Sequence, residues 1–214
     1  MIAIVDYGAG NLRSVAKALA KLGYMAQVTS EPEVVAEAEA IILPGVGAAA
    51  DAMESLGKRG LVNTLKEAVA QEKPFFGVCL GLQLLFEASE EGGWHPCLGL
   101  LPGTVRRLPP ALKVPHMGWN RVRQVGDHPL WKGIPNSSYF YFVHSYYVAP
   151  QDESGVIGET DYGLTFASVM SRGNLVGTQF HPEKSGDLGL WVYDNFCRMA
   201  GLVPVAAGLG GRTG

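Results

Sequence analysis

The first hundred residues alternate short, mostly apolar runs with longer amphipathic stretches. Short apolar runs bounded by turn residues are typical of strands buried on both faces of a parallel sheet. The strands predicted in this way cover residues 2–5, 25–28, 40–43 and 74–78.

The stretches between these runs have the spacing of helices with one apolar face. In residues 12–22, Val15 and Leu19 fall on the same face, Asn11 is placed to cap the start, and Gly23 is placed to end the helix. Further helices are predicted at residues 33–38, at 49–71 with a break at 57–60, and at 80–91.

From residue 103 onward, short β-type runs separated by turns replace this alternation. The strands predicted here are 104–108, 119–125, 139–148, 156–159, 165–170 and 174–180, followed by a closing helix at 188–200. The sequence therefore predicts an α/β fold, a three-layer, doubly wound, mainly parallel sheet with antiparallel strands added in the second half. Residues 1–202 are expected to form a single domain. Residues 203–214 are expected to form a flexible tail that frays at 208–214.

Composition narrows the class of protein. The chain has 214 residues, 47% of them hydrophobic, and a net charge of −3 with scattered Lys and Arg, which disfavours nucleic-acid or membrane-surface binding. The three cysteines have no metal-type spacing, and the first residues lack the basic region of a signal peptide. We expect a cytoplasmic protein that acts on a small molecule without a metal or cofactor.

The chemistry centres on Cys79, which lies between a predicted strand and a predicted helix, with Gly77 and Gly81 two residues to either side. This is the pattern of a nucleophile elbow, with sulfur in place of oxygen. The pattern predicts that Cys79 stands exposed above the sheet, where the start of the following helix favours a thiolate. A buried, inert cysteine fits the elbow pattern equally well.

A glycine-rich loop, Pro44-Gly45-Val46-Gly47, follows the strand at 40–43. Ligands of doubly wound sheets bind at the carboxyl ends of the strands, where this loop and the elbow are predicted to be neighbours. Backbone N–H groups of Gly45, Val46 and Gly47 are therefore candidates to bind an oxyanion together with the N–H of Leu80. Taken alone, the segment also reads as an ordinary strand-to-helix loop.

His181 and Glu183 end the last predicted strand. In extended chain, residues two apart point to the same side at a spacing of ~6.6 Å, so the Glu183 carboxylate can reach the imidazole. A carboxylate on one ring nitrogen leaves the other nitrogen free to exchange a proton with Cys79.

These motifs carry a family resemblance. Residues 77–83 together with His181-Pro182-Glu183 resemble the class I (triad) glutamine amidotransferases. Within that class, the chain over residues 1–200 is similar to the glutaminase subunits of imidazole glycerol phosphate synthases. The segments that carry this closer similarity are 6–11, 44–47, 115–120 and 142–146.

The resemblance implies that the chain hydrolyses glutamine through a Cys79 thioester. It further implies that ammonia passes to a cyclase subunit, a (β/α)8 barrel that forms a heterodimer with this chain and makes imidazole glycerol phosphate in histidine biosynthesis. The residues implied to hold glutamine are Gln83, Glu91, Ser145 and Tyr146. Those implied to face the cyclase are Asn11, Arg13, His116, Met117, Trp119 and Asn120.

Two alternatives stay open at the level of sequence. One is a glutaminase subunit of another pathway, pyridoxal phosphate or anthranilate synthesis, although the residues after Pro44-Gly45 weigh against it. The other is a flavodoxin-like binding protein without catalysis, for which His181 and Glu183 have no role.

Overall fold

A large mixed sheet forms the centre of the protein. The structure is a computed structural model that describes residues 1–8 and 10–205. In spatial order, the nine strands of this sheet are β2 (Ala26–Thr29), β1 (Ile2–Val5), β3 (Ala40–Gly45), β4 (Phe75–Cys79), β13 (Leu175–Thr178), β12 (Thr165–Arg172), β11 (Val156–Asp161), β8 (His116–Gln124) and β9 (Ser138–His144).

The direction of pairing changes within this sheet at β13. Strands β2, β1, β3, β4 and β13 are paired in parallel. From β13 through β12, β11 and β8 to β9, every pair is antiparallel. The predicted parallel sheet with antiparallel strands added in the second half is confirmed.

Helices cover both faces of the sheet and give it three layers. Their bounds are α1 (Leu12–Lys21), α2 (Pro32–Glu37), α3 (Ala49–Lys58), α4 (Leu61–Ala70), α5 (Leu80–Gln83) and α6 (Gly186–Met199). Alternate residues of a strand enter opposite cores, because successive side chains point to opposite faces. Ile41 packs into the core that contains α3 and α4, whereas Ile42 packs into the core that contains α1 and α6.

A second sheet of four strands was not predicted. It contains β10 (Tyr146–Pro150), β7 (Gly103–Arg107), β5 (Ala88–Ser89) and β6 (His95–Pro96). The single strand predicted at 139–148 is wrong, because the chain leaves the large sheet at Ser145 and enters this one.

The predicted helix at 80–91 is also wrong, since α5 ends at Gln83. The N–H of Phe86 bonds the carbonyl of Gln83, and the N–H of Glu87 bonds that of Gly103, so the chain turns into the small sheet. Leu84, Leu85 and Phe86 are all fully buried, and a helix with one apolar face cannot bury three consecutive side chains.

Two further predictions concern the helix break at 57–60 and the tail. The break at 57–60 is confirmed, with α3 ending at Lys58 and α4 beginning at Leu61. Among the described residues, no helix is long and apolar enough to cross a membrane. Val205 N–H bonds the Gly23 carbonyl at 2.8 Å, while most of the predicted tail, including the fraying end at 208–214, lies outside the described residues.

Candidate active site

Cys79 occupies a tight turn between β4 and α5. Its φ of +55° lies in the left-handed region, where a side chain costs about 1–3 kcal/mol of strain. A Cβ at Gly81 would collide with the carbonyl of Leu43, and one at Gly77 would come within 2.8 Å of the Gly81 carbonyl. The two glycines therefore let the backbone of the elbow pack directly against its neighbours.

The prediction that Cys79 stands exposed is wrong, because only 6% of the residue is accessible. Its sulfur lies 3.9 Å from the carbonyl oxygen of Val143 and 3.7 Å from Nε2 of Gln179. Cys79 nevertheless lines a pocket, so the thiol is reached through the pocket and not from above the sheet.

The carboxyl ends of three adjacent strands bring the predicted site together. Gly45 of β3 pairs with Cys79 of β4, and Val78 pairs with Thr178 of β13, three residues before His181. The glycine-rich loop at 44–47, named the oxyanion loop for its predicted role, thus lies beside the elbow and the histidine at one edge of the sheet, as expected for an open α/β sheet.

His181 and Glu183 form a buried pair. The imidazole Nδ1 lies 2.9 Å from Glu183 Oε1, and both side chains are almost fully inaccessible. Glu183 also accepts hydrogen bonds from Asn11 Nδ2 at 3.4 Å and from the hydroxyl of Tyr193 at 3.3 Å. Asn11 occupies the N-cap position of α1, as predicted, but its side chain makes no capping hydrogen bond to the helix. The side chain instead holds the carboxylate that orients the imidazole.

The charges around His181 favour its protonated form. Burial lowers its pKa, but the adjacent thiol of Cys79 and carboxylate of Glu183 outweigh burial and raise the pKa overall. Burial raises the pKa of Glu183, whereas His181 and Asn11 lower it, and the net direction is down. Nε2 of His181 is buried and makes no well-formed hydrogen bond within the described residues, which leaves it available to a reacting group.

A pocket of about 320 Å³ opens beside Cys79. It brings together most of the residues predicted for the oxyanion site and for glutamine, and its lining includes Val46, Gly47, Leu80, Gln83, Glu91, Ser145 and Tyr146. Gly45 does not line the pocket. It lies against the buried hydroxyl of Tyr7, where there is no room for a Cβ.

Two of these pocket residues are held by neighbouring segments. Gln83 Nε2 donates to the carbonyl of Tyr146 at 2.9 Å and to Oε1 of Gln179 at 3.2 Å. Glu91 Oε2 accepts the N–H of Ala49 at 2.9 Å, so this carboxylate caps the start of α3.

Two side chains that contact the triad, Gln179 and Tyr193, had no predicted role. Gln179 lies in the strand predicted at 174–180, two residues before His181, so a position on the same side as His181 could have been inferred from the sequence. Tyr193 comes from α6, and no local pattern relates that helix to the site.

The residues predicted to face a partner divide into two groups. Along β8, Met117 and Trp119 are exposed by 62% and 56%, whereas His116 is only 3% exposed. His116 stacks between Phe142 and Tyr162 in the core, so the prediction of a surface contact through its side chain is wrong.

The other residues predicted to face the cyclase differ in how exposed they are. Asn120 is half-buried and donates to the Asp161 carbonyl at 2.9 Å, and Arg13 is exposed. Asn11 is half-buried beside Glu183, as described above. No group of three His, Cys, Asp or Glu side chains in the described part of the chain is arranged to bind a metal ion.

The fold and the site place the chain in a known class. Residues 3–197 match the family model of class-I glutamine amidotransferases, and the chain belongs to this family. A crystal structure of a glutamine amidotransferase has the same fold, with a TM-score of 0.76 and 21% identity over 94% of this chain and 100% of the other.

Closer relatives share a single name, imidazole glycerol phosphate synthase subunit HisH. The protein of Moorella thermoacetica is 56% identical over 195 residues, which are 91% of this chain and 93% of the relative. That of Dehalococcoides mccartyi strain CBDB1 is 52% identical over 200 residues, 94% of this chain and 98% of the relative. The resemblance that the motifs indicated is confirmed.

Proposed function

We propose that this chain hydrolyses glutamine to glutamate and ammonia, and that the ammonia passes to a cyclase subunit that makes imidazole glycerol phosphate in histidine biosynthesis. The observation that carries the chemistry is the convergence of Cys79, His181 and Glu183 beside one pocket. The names of the relatives support the destination of the ammonia, since each is a subunit of that synthase.

In the first half of the reaction, the Cys79 thiolate attacks the side-chain amide carbon of glutamine. The oxyanion that forms is bound by the N–H of Leu80 and an N–H near Val46. His181 carries the proton that the leaving amine needs, because Cys79 and Glu183 raise its pKa. The C–N bond breaks, ammonia leaves, and a thioester remains.

In the second half, water replaces ammonia. Nε2 of His181, now neutral, removes a proton from water, which attacks the thioester carbon. The C–S bond breaks, glutamate leaves, and the thiolate with the protonated imidazole is restored. Glu183 keeps the ring in one orientation throughout, through its contact with Nδ1.

The pocket supports the choice of glutamine. Glu91 places a carboxylate in it, which suits the α-ammonium group of an amino acid. Gln83, Ser145 and Tyr146 bring polar groups to the same wall. The size of the pocket suits a small molecule and disfavours a peptide.

The exposed face of β8 supports a partner surface. Met117 and Trp119 lie two residues apart on β8, so both side chains project outward on the same side. Methionine and aromatic residues are enriched at the centres of interfaces. We assign this face, with Arg13 and Asn120, to contact with a (β/α)8 cyclase in a heterodimer. A cytoplasmic location stays a prediction from the sequence.

The test is Cys79→Ala, measured as glutamine turnover in the presence of the cyclase subunit. We expect turnover to be abolished, because the covalent route is lost, while cyclase binding is kept. Cys197→Ala is the matched control, because burial raises the pKa of that thiol to about 12 and it takes no part in the site. Substantial turnover by Cys79→Ala would refute the proposed mechanism.

A further inference from the structure

Gln179 is a fully buried amide that the mechanism above does not use. It follows β13, and its backbone N–H bonds the Ser168 carbonyl at 2.8 Å, which fixes the main chain. Its side chain lies between Cys79 and Gln83 and contacts both. The polar atoms of a buried amide need hydrogen-bond partners. The contacts of Gln179 with Cys79 and Gln83 are therefore polar contacts, and apolar packing alone does not explain them.

The neighbouring contacts decide which end of the Gln179 amide faces the sulfur. The carbonyl of Tyr146 can only accept, so the group of Gln83 that lies 2.9 Å from it is the NH2 group. The second hydrogen of this NH2 group reaches Gln179 at 3.2 Å, and the atom that receives it is therefore Oε1. The NH2 group of Gln179 then points at Cys79 Sγ, 3.7 Å away.

Two groups around the sulfur have opposite effects on its ionisation. The carbonyl of Val143, 3.9 Å from Sγ, accepts a hydrogen bond from the thiol and repels the thiolate. The NH2 group of Gln179 donates to Sγ, and a donor stabilises the anion. His181 is the other potential donor to the sulfur, but it gives up its proton during each half-reaction.

We propose that Gln179 is a positioning residue that holds the sulfur of Cys79 by a hydrogen bond from Nε2, favours the thiolate over the thiol, and ties its orientation to Gln83 in the glutamine pocket. This inference rests on the proposed function. It adds a donor to the sulfur that stays in place while His181 loses and regains its proton.

The test is Gln179→Met, which keeps the length of the side chain but removes the donor. We expect the alkylation rate of Cys79 by iodoacetamide at neutral pH to fall about tenfold, because a hydrogen bond to a charged group contributes on the order of tenfold or more. The pH at which alkylation is half-maximal should rise by about one unit. Glutamine turnover in the complex with the cyclase should fall through kcat, with KM changed less.

Gln124→Met is the matched control. Gln124 is the last residue of β8 in the large sheet, remote from Cys79, and its Nε2 donates to the carbonyl of Ile134 at 2.8 Å. We expect its alkylation profile to match that of the parent. Should Gln179→Met fail to fold, Gln179→Asn serves instead, because the shorter side chain withdraws the donor from the sulfur and keeps the amide.

The outcomes separate this inference from the proposed function. An unchanged alkylation profile in folded Gln179→Met or Gln179→Asn, with normal glutamine turnover by the parent, would overturn the role of Gln179 alone. A shifted profile with no glutamine turnover by the parent would support Gln179 and refute the proposed function.

Discussion

The two sides of the candidate active site are held in different ways. At the elbow, Gly77 and Gly81 pack backbone against backbone, and neither has room for a Cβ. In the oxyanion loop, Gly47 has φ +94° and nothing within 4 Å of where a Cβ would be, and Val46 is 41% exposed. Packing therefore fixes the nucleophile, while the main chain at Val46 and Gly47, which we propose binds the oxyanion, has room to change its conformation.

The largest expected effect concerns His181 and Glu183, which act on the nucleophile that the elbow holds, and is seen in the rates of His181→Asn and Glu183→Gln. His181→Asn removes the proton carrier, and turnover should fall at least about 10⁴-fold. Glu183→Gln only weakens the orientation of the ring, and we expect it to retain at least about tenfold more activity than His181→Asn. The measurement is kcat/KM for glutamine on purified complexes.

His128→Asn is a suitable control for the histidine variant. His128 accepts the N–H of Leu130 at the start of a 3-10 turn, and Asn fills the same capping role. Turnover should be unchanged in this variant. A Glu183→Gln enzyme slower than His181→Asn would reverse the roles assigned to the two residues.

The next effect concerns the open side. If the oxyanion loop adopts its productive backbone orientation only when the cyclase is docked, the chain alone lacks one oxyanion donor. A missing donor lowers the rate by about 100-fold or more. We expect poor turnover by the chain alone and strong activation when the cyclase is added. Full activity of the isolated chain would show that the loop needs no partner.

The smallest expected effect is a difference in the free energy of unfolding between Gly81→Ala and Gly47→Ala. Gly81→Ala forces a collision with the Leu43 carbonyl and should cost at least about 2 kcal/mol. Gly47→Ala meets no neighbouring atom and pays only for its positive φ, about 1 kcal/mol. Urea denaturation measures both. Equal losses would contradict the contrast between the two sides.

Much of the fold follows from local pattern in the sequence. Apolar runs identify β1, β3 and β4 because these strands are buried on both faces. The spacing of Gly77, Cys79 and Gly81 indicates the elbow because the turn leaves no room for other residues. Where sterics act within a few residues, the sequence carries the signal directly.

The predictions that failed depend on contacts between distant segments. The helix predicted at 80–91 stops early because β5 pairs with β7, each residue with one sixteen positions later. The side chain of Asn11 bonds Glu183, 172 positions later, and makes no capping hydrogen bond to its own helix. His116 is buried because β9 brings Phe142 against it. The local pattern of apolar and polar residues carries no information about contacts between such distant segments.

The position of β13 has a consequence for how the protein folds. It is the last strand along the chain, yet it lies in the middle of the large sheet, between β4 and β12. Gln179, which follows it, contacts Cys79 across 100 positions of sequence. Pairings this distant form late in folding, since closing a long loop costs chain entropy before any contact forms. A nascent chain therefore exposes its thiol long before it acquires a base, and we expect glutamine to be safe from hydrolysis until the whole domain has been synthesised.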